Sequence, residues 1–269
     1  MKQYISAAVT LILASACTIS SKSTGATSDD SLLALLPIEE TASDSTAKYK
    51  STITLNLNFP EQGRQPLTDS LRHWLGEVFS ISSPDSTANA AIFSQAVFDK
   101  TIADIKSGME QMPDMGDFTL TYEYMWTADT IMTSPKTVSY YVNAYTYMGG
   151  AHGGTVYQAA TFDAATGARL GWDMFLPDSL PKLREIVENG IIADSFSGNR
   201  EDFKESLIIG DTDQVPLPAF PPVFTEKGIA FTYQQYEIVC YAAGMPGCVI
   251  PYDTQRPYMA PQAAALIPE

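Results

Sequence analysis

Hydrophobic and polar residues alternate with a period of two in several parts of this chain, which is typical of half-buried strands. The clearest cases are 52–59, 118–126, 137–147 and 155–163. Short connections between consecutive strands favour antiparallel pairing. The later strands are predicted at 228–233, 236–239 and 248–252.

Apolar residues recur at helical spacing in the regions between these strands. The predicted helices cover 67–80, 89–109, 179–196 and 199–208. Strands and helices are grouped along the chain and do not strictly alternate, which indicates an α+β protein. We therefore expect a mostly antiparallel sheet with helices packed on one side, in two intimately packed halves.

The N-terminal residues 1–16 are predicted to be a signal peptide. Lys2 is followed by a short apolar run over 5–14 and by small residues before Cys17. The run is much shorter than the roughly 20 residues that a membrane span needs. In one interpretation Cys17 is acylated and anchors the protein to a membrane. In the other, the same small residues direct cleavage of a soluble secreted or periplasmic protein.

The rest of the chain is divided by composition. Residues 17–48 are mostly small or polar, which predicts a disordered tether. The apolar run over 32–37 interrupts that tether and could be a strand or turn that docks on the domain. After the tether we expect an N-terminal α/β module over 49–134, a C-terminal domain over 135–260 and a tail over 261–269.

The charge balance limits the class of partner. The chain has 16 basic and 31 acidic residues, a net charge of −15. This charge argues against nucleic acid and against binding anionic lipid or anionic glycan by charge. It is compatible with a cationic protein partner, although an acidic surface also simply keeps an exported protein soluble.

The turn over 145–154 contains His152, one of two histidines in the chain. Its glycines either let the backbone approach a ligand or only permit a positive-φ turn. The histidine could contact a ligand, act in catalysis, or hydrogen-bond to backbone and fix the turn. No nucleophile or metal ligand stands at a suitable spacing, so no catalytic residue, metal or cofactor is predicted. The candidate ligand-binding residues are Tyr145, Tyr147, Gly149, Gly150, His152 and Gly153.

The tyrosines of the preceding strand fall on both of its faces. Tyr141, Tyr145 and Tyr147 share one face by alternation, and Tyr140 takes the other. Such rows usually pack a core or pair across strands, whereas a solvent-facing row suits sugar stacking or a protein interface.

Cys240 and Cys248 flank a short loop with two glycines and a proline. Acylation of Cys17 would leave these two as an even pair, and an oxidising compartment favours a disulfide between them. Free buried thiols are the alternative.

Two blocks of sequence resemble the extracytoplasmic domain of the RsiV-type family. The first block, 137–175, has a tyrosine-rich strand, the motif Gly-Gly-Ala-His-Gly at 149–153, and Thr166-Gly167. The second, 224–252, includes Tyr-Gln-Gln-Tyr-Glu-Ile at 233–238 and Ile-Pro-Tyr at 250–252. The resemblance covers about 137–255 and is weak over 49–134.

This resemblance implies a binding function outside the cytoplasm. RsiV-type proteins sense lysozyme, and the same domain is found in envelope lipoproteins and beside polysaccharide deacetylases. We therefore expect an envelope protein that binds a cationic, lysozyme-like protein or peptidoglycan and is held at the membrane by its N-terminal lipid. The alternative is a hydrolase or deacetylase accessory with His152 in its site.

Overall fold

A computed structural model of the chain describes residues 31–81, 84–112, 118–210 and 214–268. The predicted signal peptide, the lipidation site Cys17 and the tether as far as residue 30 lie outside the described residues. In the described ranges, no helix is long and apolar enough to cross a membrane.

The described part of the chain has two sheets. A six-stranded sheet has the order β1-β2-β3-β4-β5-β6, and a three-stranded sheet has the order β7-β8-β9. The pairs β1–β2, β5–β6, β7–β8 and β8–β9 are antiparallel. The strands are β1 Leu33–Ser45, β2 Tyr49–Gly63, β3 Leu120–Thr133, β4 Thr137–Tyr147, β5 Gly154–Asp163, β6 Arg169–Leu170, β7 Val223–Thr225, β8 Gly228–Thr232 and β9 Gly247–Ile250.

Six α-helices are grouped between and after these strands, in the residues that the structure describes. This arrangement confirms the predicted α+β class with a mostly antiparallel sheet. The helices are α1 Gln65–Val78, α2 Ala90–Gln111, α3 Leu180–Ser195, α4 Arg200–Ser206, α5 Tyr252–Gln255 and α6 Pro261–Ala265.

The described part of the predicted tether contains a long strand and no disordered segment. Residues 33–45 form β1, which pairs with β2 from Leu33 opposite Gly63 to Ser45 opposite Lys50. Ile38 and Ala42 of β1 are buried. The composition of 17–48 is too polar to form a core alone, but a strand needs to bury only alternate residues once a partner strand is available.

The chain forms two compact units. Of the residues that the structure describes, the first unit comprises 31–64, 72–81, 84–112, 118–127 and 144–154, and the second comprises 65–71, 128–143, 155–210 and 214–268. The predicted boundary between residues 134 and 135 therefore falls inside a stretch of the second unit.

The first unit has a buried polar cluster beside apolar residues. Asp44 of β1 is 8% exposed and accepts hydrogen bonds from the Tyr49 hydroxyl at 2.5 Å and the Lys106 ammonium at 3.2 Å. Burial raises the pKa of Asp44, but these two bonds outweigh burial and leave that pKa below its ordinary value. The cluster keeps a buried carboxylate paired, as burial of a charge requires.

The second unit has its core around β7, β8, β9 and α3. Phe224, Ile229 and Phe231 of the three-stranded sheet are fully buried there. The segment predicted as a tail also enters this core, because it forms α6 and buries Ala263 and Ile267.

One predicted strand is replaced by a turn. The sequence predicts a strand over 236–239. Instead Tyr236 has a φ of +63°, and Val239 forms only an isolated bridge with Leu207. Ile238 and Val239 are both buried, whereas a half-buried strand exposes one of two consecutive residues.

Candidate functional site

The candidate site of the first unit is the hairpin tip, residues 148–153, which connects β4 to β5. Gly149 and Gly150 have φ values of +85° and +97°. L-residues with side chains rarely adopt these values, so the two glycines allow the chain to reverse.

Two tyrosines of β4 brace the hairpin tip. The Tyr145 ring lies so close to Gly153 that a Cβ at this glycine would be 2.5 Å from the ring. The Tyr147 hydroxyl donates a hydrogen bond to the Gly150 carbonyl at 3.1 Å. The side chains of Tyr145 and Tyr147 therefore fix the backbone of the turn.

His152 lies at the surface of the tip. Its Nδ1 is 2.9 Å from the Gly153 carbonyl oxygen. A carbonyl only accepts hydrogen bonds, so Nδ1 is the donor in this contact. Met148, four residues before the histidine at the same tip, is a flexible apolar side chain that is 60% exposed.

The tyrosine row of β4 divides as the alternation predicts. Tyr140 is fully buried, and burial raises the pKa of its hydroxyl. Tyr141 on the other face stacks on Tyr157 of β5, with ring centroids 5.8 Å apart. Burial, followed by the influence of Tyr141, raises the pKa of Tyr157 to about 12. In the second unit these rings therefore serve core packing and cross-strand pairing.

Within the second unit, two glutamines connect the two sequence blocks. Gln234 accepts the N–H of Tyr157 at 2.9 Å and donates to the Tyr157 carbonyl at 2.8 Å. Gln235 accepts the N–H of Thr155 at 2.8 Å. The Gln234 amide thus exchanges the same two hydrogen bonds with Tyr157 that the main chain of an antiparallel partner would form.

This pairing covers the outer edge of β5. In the described residues, β6 pairs with β5 only at Thr161 and Phe162. Exposed strand edges are templates for pairing with other chains, so proteins usually cover or interrupt them. We therefore interpret the two glutamines as an edge cap over 155–157.

Loss of the edge cap gives a direct prediction. Replacing Gln234 with alanine leaves the Tyr157 N–H and carbonyl without their amide partner, and should lower the free energy of unfolding by about 1–2 kcal/mol. Thermal unfolding measures this loss, and amide hydrogen exchange should show faster exchange at Tyr157. Gln95→Ala is the matched control, because the Gln95 amide donates only to the exposed Asp99 carboxylate. Equal stability of the two variants would contradict an edge cap.

The turn that carries the glutamines is unusual at Tyr236. A φ of +63° in a bulky residue is a genuine outlier, and such strain costs on the order of 1–3 kcal/mol. The Tyr236 side chain is nevertheless 53% exposed. The sequence showed the aromatic residue but gave no signal of its backbone conformation, since tyrosine is not a typical residue at positive φ.

A buried hydroxyl joins the two sheets within the second unit. Thr161 of β5 accepts the N–H of Phe224 of β7 at 2.9 Å, and its hydroxyl lies 2.8 Å from the Ser139 hydroxyl of β4. All three residues are fully buried. Nothing in the sequence pairs these positions, because 63 residues separate Thr161 from Phe224.

The predicted disulfide is wrong for this structure, in which Cys240 and Cys248 are free thiols. Cys240 is exposed at the start of a short 3₁₀ turn, whereas Cys248 is buried on β9 and its Sγ lies 3.7 Å from the Val187 carbonyl. Burial, followed by the charge of Asp194, raises the pKa of Cys248 to about 12, so this thiol resists ionisation. The prediction rested on the oxidising compartment. It took no account of the position of each thiol in the fold, where one is exposed and the other is buried.

The second unit also has a cleft of about 390 Å³ beside β6 and α6, with Asp163, Arg169 and Asp173 in its lining. Asp163 accepts the N–H groups of Ala165 and Thr166, and Asp173 accepts the N–H of Gly171. These carboxylates therefore support local turns. Among the described residues, no group of three His, Cys, Asp or Glu side chains could hold a metal ion.

Grouped helices, two antiparallel sheets and a braced hairpin tip define an α+β protein with a displayed surface turn. Residues 173–253 match the family model described as "Protein of unknown function (DUF3298)". This match includes the edge-cap glutamines and Tyr236. No curated protein matches the sequence.

Two solved structures are similar to this chain. The first, a DUF3298 family member from Bacteroides fragilis, has a TM-score of 0.63 and 20% identity, over 88% of this chain and 99% of that one. The second, a DUF3298 family protein from Pseudomonas aeruginosa PAO1, has a TM-score of 0.58 and 15% identity, over 90% and 100%. At these identities the likeness establishes the fold alone.

Proposed function

We propose that this protein is an exported, lipid-anchored envelope protein that binds a cationic, lysozyme-like protein through its hairpin tip. The observation that carries the proposal is the braced tip, in which Tyr145 and Tyr147 fix the backbone while Met148 and His152 remain at the surface. A turn that is rigid before binding loses less conformational freedom when a partner docks.

The chemistry of the tip suits a protein partner. Methionine is flexible and polarisable, and such side chains adapt to the irregular surface of a partner. The exposed His152 ring adds a polar group to the same tip, and its Nδ1 donates to the Gly153 carbonyl.

Charge supports a cationic partner. The net charge of −15 attracts a basic protein over distances of about a Debye length, and it repels anionic polymers. Electrostatic attraction of this kind mainly raises the association rate and weakens with added salt.

The N-terminal sequence supports the location. The pattern from Lys2 to Cys17 predicts export and is compatible with a lipoprotein, and the two blocks of sequence resemble a domain that acts outside the cytoplasm. A lipid at Cys17 would hold the domain at a membrane, which is stable when more than one acyl chain is attached.

An affinity measurement tests the proposal. The chain without residues 1–16 is immobilised, and binding of hen lysozyme is measured at 50 mM and 300 mM salt. We expect saturable binding that weakens at the higher salt, and a roughly tenfold loss of affinity for Met148→Ser, which corresponds to about 1.4 kcal/mol.

Ile92→Ser is the matched control, because Ile92 is an exposed apolar residue on α2, with 45% of its surface accessible. It should bind lysozyme like the unchanged protein. Absence of lysozyme binding at both salts would refute the protein-partner proposal. Binding of soluble peptidoglycan fragments in place of lysozyme, with the same loss in Met148→Ser, would identify a glycan as the partner of the tip.

A further inference from the structure

Tyr236 belongs to the second unit, and the hairpin tip belongs to the first. Tyr236 combines a positive φ with a side chain that is 53% exposed. A glycine at this position would adopt the same φ without strain. A large exposed side chain at a strained position therefore suggests a role for the ring itself.

The turn around Tyr236 is held by other residues. The Glu237 carboxylate accepts the N–H of Gln234 at 2.7 Å and the N–H of Ala219 at 2.6 Å. Tyr233 is buried, and its hydroxyl donates to the Pro216 carbonyl at 2.6 Å. These contacts hold the turn through residues other than Tyr236.

The ring of Tyr236 forms an aromatic platform with Tyr241. Their centroids are 5.7 Å apart and the planes are tilted by 32°. Gln235 stands next to Tyr236 in the chain and uses the acceptor end of its amide for the Thr155 N–H. The other end of this amide is an NH₂ donor, on the residue that precedes Tyr236 in the chain.

We propose that Tyr236, Tyr241 and Gln235 bind a neutral pyranose ring of a glycan. An aromatic face provides apolar area for the C–H face of a sugar, while phenol and amide groups match sugar hydroxyls. The acidic chain disfavours anionic sugars, so the sugar is an uncharged one. This site has different residues and a different partner from the hairpin tip. The result of its test is therefore independent of the proposed function.

Saturation-transfer NMR on the chain without residues 1–16 tests this site, with the uncharged tetrasaccharide of N-acetylglucosamine as the probe. We expect transfer to the sugar ring protons and weak binding in the millimolar range. Tyr236→Gly should lower the affinity at least tenfold, with an unchanged or higher melting temperature because the backbone strain is relieved. Tyr236→Phe keeps the ring and should retain affinity within about threefold.

Four results would overturn the sugar site. The first is no saturation transfer to the tetrasaccharide at 10 mM with the unchanged protein. The second is equal affinity of Tyr236→Gly and the unchanged protein. The third is a lower melting temperature of Tyr236→Gly without a loss of sugar binding, because the ring would then serve packing. A loss of lysozyme binding in Tyr236→Gly, without any sugar binding, would identify the platform as a protein contact and also overturn the proposal.

Discussion

Replacing Gly167 with alanine should lower the free energy of unfolding by about 3 kcal/mol or more. Gly167 has a φ of +73°, and a Cβ there would lie 2.1 Å from the Pro66 carbonyl oxygen and 2.7 Å from the Ser70 hydroxyl. Backbone strain and a collision with main-chain atoms at the start of α1 therefore add together. Thermal unfolding should show a melting temperature lower by roughly 6–12 °C for a chain of this size.

Gly198→Ala is the matched control for this prediction. Gly198 has a similar φ of +79°, but no atom lies within 4 Å of the place where its Cβ would be. The free energy of unfolding should therefore fall by only about 1–2 kcal/mol, the cost of a positive φ in a residue with a side chain. Equal stability of the two alanine variants would contradict the claim that the Pro66 carbonyl leaves no room for a Cβ at Gly167.

Replacing Thr161 with valine should lower the free energy of unfolding by about 3 kcal/mol. Valine keeps the shape of threonine but removes the hydroxyl that accepts the Phe224 N–H and bonds with Ser139. A buried N–H and a buried hydroxyl then lose their partner, and neither residue is exposed to water. Chemical denaturation measures the loss, and the Phe224 amide should exchange faster with solvent.

Thr161→Ser separates the hydroxyl from the methyl group. Serine keeps the hydrogen bonds, so it should lose only the roughly 1 kcal/mol that belongs to one buried methyl group. A valine variant that is as stable as the serine variant would show that the hydroxyl network contributes little to stability.

The sequence predicted the strands that lie between clear turn signals. β4 has the expected bounds of 137–147 and β5 begins one residue early at 154, because each strand alternates strongly and a glycine turn separates them. For β1, only the apolar run over 32–37 was interpreted as a strand or turn. The rest of β1 was assigned to the tether, because its serine, threonine and acidic residues resemble a disordered segment. Whether such a polar strand forms depends on a partner, here β2, and composition does not carry that information.

The sequence predicted only those features of the candidate site that depend on residues close together in the chain. Gly149, Gly150 and His152 stand out in the sequence because turn geometry is a local property. The edge cap was not predictable, because Gln234 and Tyr157 are 77 residues apart and glutamine has no preference for strand edges that a pattern could reveal. The same limit applies to Cys240 and Cys248, whose opposite exposures depend on where β9 lies in the core.

Mapping the lysozyme contact by NMR tests the central claim most directly. Backbone amide signals of the chain without residues 1–16 are recorded before and after addition of lysozyme at 50 mM salt. The proposed function predicts that the largest shifts fall on residues 148–153 and that Met148→Ser reduces them at the same lysozyme concentration. Shifts confined to other segments, with the signals of 148–153 unchanged at saturating lysozyme, would contradict it.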